Sequence, residues 1–348
     1  MKTRHLLLAS FTAIATVSQA ALPLGGLTVA VSPDGKKLVA GGDTRTLLMM
    51  DPASLEVTAR QWIEAGITSL GFSKDGKVLV VGDSDNAVKL FDTASWKLIK
   101  QFEKYDLLTI SQSAGLFAGT DNAYTGPNIF VSTIEGGVQK AKITLGNKER
   151  VVALAISPDG QKLAVLTYAK EDPSEKKLGY NDIPKDLTGL DRAVFQLKND
   201  GKASTIFIYD IQKGTVLSER KTWYENSNNC RLLFHGDDVI AVGYMNVNAQ
   251  IAPDGTTKAF EAMNSYNYGI GFSADGKSIL TGGLVDGTIT AVTSLSGVKF
   301  KLSKISGFPE YIKGFDSSAS GTVFAGTSGF RVVRISADGK VEKEAPVK

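Results

Sequence analysis

Short runs of alternating apolar and polar residues, separated by tight-turn signals, recur along most of the chain. The phrase "VSPDGKKLVAGG" begins at Val31, and nearly the same phrase, "ISPDGQKLAVLT", begins at Ile156. Each phrase predicts a strand, a turn and a second strand, because Asp-Gly favours tight hairpins and alternation favours half-buried strands. The chain therefore repeats one structural unit.

The phrase occurs in four clear and three degenerate copies. The clear copies begin at Val31, Phe72, Ile156 and Phe272, and the degenerate ones at Ile110, Phe234 and Phe315. Successive copies start about 40 residues apart, except between Ile156 and Phe234, and this period is typical of four-stranded β-propeller blades. We predict an all-β, seven-bladed β-propeller of four-stranded antiparallel blades, at about 27–62, 67–103, 107–143, 151–221, 230–262, 267–303 and 312–347.

The second unit shows the four strands of a blade, which we label a to d from the ring centre outward. Strands a and b are predicted over 67–72 and 77–81, and Asp75-Gly76 forms the turn between them. Strands c and d are predicted over 87–91 and 98–102. The a–b and c–d turns should lie on one face of the ring, and the b–c and d–a connections on the other.

The stretch "SDNAVKLFDTAS" resembles the WD-repeat family, with an Asp before the third strand and the closing aromatic-Asp pair Phe91-Asp92. A degenerate copy of this WD-like motif lies near Asp286. The Gly-His signature is absent, and Phe91 stands where Trp is usual. The resemblance implies a WD-repeat-like propeller of the kind found in exported bacterial proteins. A stack of unclosed β-units is the rival fold, but a closed ring leaves no long exposed edges.

One interval between copies is longer because residues 170–201 separate strands b and c of the fourth blade. Leu187, Leu190, Val194 and Leu197 are spaced to form one apolar face of a short helix. The apolar residues favour an ordered cap or docking element over a disordered surface loop, which is the alternative.

Aromatic residues concentrate in the b–c and d–a connections, where asparagines accompany several of them. Exposed Tyr and Trp side chains offer contact area together with a polar group, as binding surfaces do. We therefore predict that this face binds a partner or ligand. The candidate residues are Tyr105, Tyr124, Tyr180, Trp223, Tyr224, Asn226, Tyr244, Asn246, Tyr266, Tyr268 and Tyr311. We assign Trp62, Trp96 and about half of the tyrosines instead to wedging neighbouring blades together.

The first 20 residues have the pattern of a secretory signal peptide. Lys2 and Arg4 precede an apolar run, and Ser18 and Ala20 are the small residues that a signal peptidase prefers. We expect cleavage after Ala20, one propeller domain over 21–348, and a periplasmic or secreted location. No later stretch predicts a transmembrane segment.

Charge and residue usage exclude several classes of function. The chain has 39 Lys and Arg against 36 Asp and Glu, without long runs of either sign, which disfavours nucleic-acid binding. Cys230 is the only cysteine and His235 the only histidine after the signal segment. Histidine-based metal or haem sites and disulfides are therefore not expected, and we predict no cofactor.

The sequence thus predicts a non-catalytic binder of a partner protein, peptide or envelope polymer, most simply another envelope protein or complex. An accessory subunit of a periplasmic redox complex fits the same pattern. The alternative from another class is a calcium-dependent lactonase using aspartates of the b–c connections. These aspartates are Asp43, Asp83, Asp85, Asp121 and Asp286. In the structural interpretation, each of these side chains instead accepts hydrogen bonds from backbone groups of its own turn.

Overall fold

The computed structural model describes most of the chain, and the described residues form 28 β-strands and one α-helix. They are residues 25–121, 127–145, 149–169, 182–199, 204–224, 230–242, 247–261, 267–272, 278–283, 288–293, 296–301 and 310–347. The predicted all-β class is confirmed in this part of the chain. It contains no helix with the length and apolarity needed to cross a membrane.

Each group of four consecutive strands forms one antiparallel sheet in which sequence neighbours pair. The first three sheets comprise β1 (Leu27–Val31), β2 (Leu38–Gly42), β3 (Thr46–Met50) and β4 (Val57–Trp62); β5 (Ile67–Phe72), β6 (Val78–Asp83), β7 (Val88–Asp92) and β8 (Leu98–Phe102); and β9 (Asp106–Ser111), β10 (Leu116–Thr120), β11 (Asn128–Thr133) and β12 (Gln139–Thr144).

The later sheets repeat this order. They comprise β13 (Glu149–Ile156), β14 (Lys162–Ala169), β15 (Ser204–Asp210) and β16 (Thr215–Thr222); β17 (Arg231–His235), β18 (Asp238–Val242), β19 (Val247–Ile251) and β20 (Thr257–Glu261); β21 (Asn267–Phe272), β22 (Ser278–Gly283), β23 (Thr288–Thr293) and β24 (Ser296–Lys301); and β25 (Ile312–Ser317), β26 (Val323–Thr327), β27 (Arg331–Ile335) and β28 (Val341–Pro346). The predicted four-stranded antiparallel sheets are confirmed.

The second strand of a sheet is its most buried part, and the outer strand is the most exposed. Every residue of β6 is buried, whereas β8 is exposed along nearly its whole length. The sequence explains this difference, because β6 reads "VLVVGD" and β8 reads "LIKQF". A strand with neighbours on both faces is uniformly apolar, and an outer edge carries lysines that discourage pairing with other chains.

The core lies between neighbouring sheets. Phe72 and Leu79 of the second sheet pack on Leu47 and Met49 of the first, and Leu27 and Val29 of the first pack in one cluster with Phe324 of the last. The innermost strands contact their neighbours in the order β21, β25, β1, β5, β9, β13, β17. The last sheet of the chain therefore packs directly against the first.

Residues between β14 and β15 form helix α1 (Gly189–Asn199), which confirms the helix predicted there. Its side chains Leu190, Ala193 and Val194 pack on the cluster shared by the fourth and fifth sheets. The helix contacts β19 and β20, the two outer strands of the fifth sheet. Residues 170–181, 200 and 201 of the predicted insertion lie outside the described residues.

Candidate binding face and central channel

The b–c and d–a connections are joined to one another by backbone hydrogen bonds. The Ser84 amide donates to the Gly66 carbonyl at 2.8 Å, and the Tyr105 amide donates to the Asn86 carbonyl at 2.7 Å. Ser84 and Asn86 belong to the b–c turn of the second sheet, while Gly66 and Tyr105 belong to the d–a connections on either side of it. These loops form one continuous surface, the b–c/d–a face.

The a–b and c–d turns form the opposite face. The Lys37 Nζ donates to Thr93 Oγ1 at 2.5 Å and to the Gly76 carbonyl at 3.3 Å. Lys37 and Gly76 lie in the a–b turns of the first two sheets, and Thr93 lies in a c–d turn. The two predicted sets of connections are therefore separated on the described sheets.

Three of the candidate aromatic residues are buried in the ring. Tyr224, Tyr311 and Tyr105 are 0%, 8% and 9% exposed. Tyr105 contacts Phe102 and Phe117 in edge-on and tilted geometries at ring-centre distances of 5.8 Å. Burial also raises the pKa of the Tyr105 hydroxyl. These side chains pack between sheets, whereas the prediction required them to be exposed.

The two tryptophans that were assigned to wedging differ in burial. Trp96 is half-buried and packs on the cluster between the first two sheets. Trp62, at the end of the outer strand β4, is 63% exposed. The wedging role predicted for Trp62 is therefore wrong. An outer strand has no further strand to cover it, and its position on that edge explains the exposure.

Trp223 is the candidate whose position fits the prediction best. It is half-buried in the connection after β16 and packs on the same apolar cluster as Val194 of helix α1. Its ring lies 6.5 Å from that of Tyr224. The helix and this connection are thus neighbours on the b–c/d–a face. Tyr268 lies on β21, and the remaining candidates lie outside the described residues: Tyr124, Tyr180, Asn226, Tyr244, Asn246 and Tyr266.

Of the five aspartates of the b–c connections, Asp83 and Asp121 bond to groups of their own connections, and Asp286 lies outside the described residues. Asp83 Oδ1 accepts hydrogen bonds from the amides of Asp85 and Ala87, both at 3.0 Å, and Asp83 Oδ2 pairs with Lys89 Nζ at 2.5 Å. Asp121 accepts the Asn128 amide at 2.8 Å. Among the described residues, no three His, Cys, Asp or Glu side chains converge as metal ligands do. Nothing in this geometry favours the lactonase alternative.

A cavity of about 380 Å³ lies between the innermost strands. Asp316 of β25 lines it, and its carboxylate accepts the amides of Val31 and Ser317, each at 2.8 Å. Desolvation by the surrounding strands raises the pKa of Asp316 to about 7, against these two hydrogen bonds, which lower it. Gln112 Nε2 donates to the Val31 carbonyl at 3.2 Å. We call this cavity the central channel.

Two cations line the same channel near the b–c/d–a face. Arg231 is the first residue of β17, and Lys313 is the second residue of β25. Arg231 is accessible from the channel but enclosed by ring atoms, and this desolvation lowers its pKa. Desolvation also lowers the pKa of Lys313, Asp43 raises it, and repulsion from Arg231 lowers it further. Sequence reasoning missed this pair, which belongs to no motif.

Cys230 directly precedes Arg231 in the sequence and is buried. Desolvation raises the pKa of its thiol to about 12, although Arg231 and a hydrogen bond with Tyr224 oppose the shift. A thiol with so high a pKa is a poor nucleophile, because the thiolate is the reactive form. Its burial and its raised pKa both indicate that Cys230 is a small core residue.

Residues 57–111 match the family model described as the anaphase-promoting complex subunit 4 WD40 domain. The match extends from β4 through the whole second sheet to β9, and it therefore covers the unit in which the WD-like motif was found. No curated protein matches the chain. The match and the repeated four-stranded sheets fit a WD-repeat-like propeller.

Proposed function

We propose that this chain is an exported, non-catalytic propeller that binds another envelope protein through its b–c/d–a face. The observation that carries the proposal is the WD40 match over 57–111, since WD40 domains are generally protein-interaction scaffolds. The Lys2, Arg4 and Ala20 pattern supports export. An accessory role in a periplasmic redox complex is one form of this function.

A closed ring of seven blades is part of the proposal. Its support is the contact between the first and last sheets, where the Ala319 amide donates to the Pro33 carbonyl at 3.2 Å in addition to the Val31–Asp316 bond. A rigid ring would hold the loops of the binding face in fixed positions. Little conformational entropy is then lost when a partner docks.

Segment 170–201 is proposed as a docking arm on this face. Support comes from helix α1, which packs on the same apolar cluster as Trp223 rather than extending away from the sheets. Its exposed residues Asp191 and Gln196 leave a polar helix surface available for contact.

Affinity capture from envelope extract tests this function. The intact protein is compared with a variant lacking 170–201 and with two face variants, Glu64→Lys on the b–c/d–a face and Lys74→Glu on the opposite face. Both residues are exposed. We expect the deletion and Glu64→Lys to reduce recovery of the same proteins and Lys74→Glu to leave it unchanged. Equal recovery by all four proteins would contradict the proposal.

A further inference from the structure

The central channel holds an uneven arrangement of charge. Its b–c/d–a mouth contains Arg231 and Lys313, and Asp316 lies at the other end of β25, toward the a–b turns. Arg231, Lys313 and Asp316 are the charged residues that line the cavity among the described residues, and the carboxylate of Asp43 also acts on Lys313. Among the described residues, the mouth of the channel therefore carries a net positive charge.

Enclosure makes this excess charge costly. Both cations are desolvated and repel each other, and their lowered pKa values report this environment. Charges interact more strongly in a partly enclosed cavity than in bulk water. An anion placed between Arg231 and Lys313 would offset both desolvation and repulsion. A planar guanidinium also matches the two oxygens of a carboxylate better than other groups do.

We propose that the channel mouth binds a carboxylate, and that its natural occupant is an Asp or Glu side chain on a loop of the protein partner. This inference rests on the proposed function, because it assigns chemistry to the same binding face. Arg231 would hold the carboxylate through paired hydrogen bonds, while Lys313 would supply a second charge. The volume of about 380 Å³ accommodates a side chain or a loop tip rather than a folded element.

The direct test measures binding of an acidic peptide by fluorescence anisotropy. A fluorescent six-residue glutamate peptide is compared with its glutamine counterpart, on wild-type protein and on Arg231→Gln, Lys313→Gln and the double variant. Lys74→Gln, which removes an exposed charge from the opposite face, is the control. Thermal melts verify that each variant is folded.

We expect the glutamate peptide to bind in preference to the glutamine peptide, and each channel variant to weaken that binding by roughly tenfold, the effect of losing one charged hydrogen bond. Lys74→Gln should bind as wild type does. Arg231→Lys should recover part of the loss, since it restores charge without the planar group. Equal affinity for the two peptides, or unchanged binding by the double variant, would overturn the proposal.

A second measurement needs only wild-type protein. Phenylglyoxal labels accessible arginines, and mass spectrometry reports the extent of labelling at each one. The glutamate peptide should protect Arg231 and leave Arg60, on the outer strand β4, unprotected. If the peptide does not reduce labelling of Arg231, the proposed site is contradicted. This result does not depend on whether any of the variants folds. If the site fails but envelope proteins are still captured through the b–c/d–a face, the proposed function survives without it.

Discussion

The carboxylate of Asp316 accepts a hydrogen bond from the amide of Val31 at 2.8 Å, and these two residues belong to the last and the first sheets of the chain. Each sheet uses four consecutive strands, so no strand is exchanged between the two ends of the described chain. The first and last sheets are joined instead by this bond, by backbone contacts and by the shared apolar cluster around Leu27 and Phe324.

Asp316 should make stability fall as pH rises. The pKa of Asp316 is about 7 in the folded protein, against an ordinary value of 3.8, so between these two pH values the folded state holds one more proton than the unfolded state. The contribution of Asp316 to stability is therefore fully present below pH 4 and is lost as the pH rises to 7, by at most roughly 4 kcal/mol. Asp316→Asn should remove this decline, measured by urea unfolding at pH 5 and pH 8.

The control for that experiment is Asp338→Asn in the same sheet. Asp338 is exposed, and its hydrogen bond from Ser336 lowers its pKa, so it titrates below the window compared. Its variant should keep the wild-type difference between the two pH values. An Asp316→Asn variant with that same difference would show that the carboxylate is not the group responsible.

The Ser-x-Asp-Gly turns should each contribute measurable stability through their serine. Ser73 is fully buried; its Oγ donates to Asp75 Oδ1 at 2.7 Å and accepts the Val78 amide at 2.9 Å. Ser73→Ala should cost about 1–3 kcal/mol of unfolding free energy, because the buried Val78 amide loses its extra acceptor. Ser95→Ala, an exposed turn serine, should cost well under this amount in the same denaturation experiment. Equal losses would contradict the account.

The buried pair of Asp83 and Lys89 should be sensitive to removal of one partner. Asp83→Asn leaves a buried ammonium without its carboxylate, and we expect a loss of about 3–5 kcal/mol in chemical denaturation. Adding Lys89→Met to that variant should recover part of the loss. Lys77→Met breaks the exposed pair with Asp75 and should change stability by less than about 1 kcal/mol. A mild Asp83→Asn effect would contradict burial of the pair.

Helix α1 should detach when its packed face is made polar. Val194 contacts the cluster between the fourth and fifth sheets, while Gln196 on the same helix is exposed. Val194→Asp should speed hydrogen exchange of the helix amides and leave β18 protected, because local opening need not unfold the sheets. Gln196→Asp should leave exchange as in wild type. Fast exchange of β18 in the first variant would mean that the helix supports the fold globally.

The four-stranded sheets were predictable because the same sequence motif recurs several times along the chain. The strands of the second sheet follow directly from alternation and from Asp75-Gly76, and Gly76 indeed has a positive φ of 69°. The same turn chemistry recurs in the c–d turn at Ser336 and Asp338, which the repeat analysis did not include. Helix α1 was predictable because Leu190, Val194 and Leu197 recur at helical spacing, whereas Leu187, which was included in the predicted face, lies before the helix begins at Gly189.

Side-chain exposure in the connections was not predictable in the same way. Tyr105, Tyr224 and Tyr311 precede inner strands, and a sequence does not reveal whether such a ring turns toward solvent or between sheets. The pairing of Arg231 with Lys313 depends on two strands that are distant in sequence. Only the packing of inner strands around the central channel brings these two cations together.

Site-specific photo-crosslinking tests the central claim, that the b–c/d–a face carries the partner. A photoreactive amino acid is placed at Glu64 or Ser84 on this face, and at Lys74 or Ser95 on the opposite face; all four positions are exposed. The account predicts crosslinks to the same envelope protein from the first two positions and none from the other two. Crosslinks from Lys74 and Ser95 alone would contradict it.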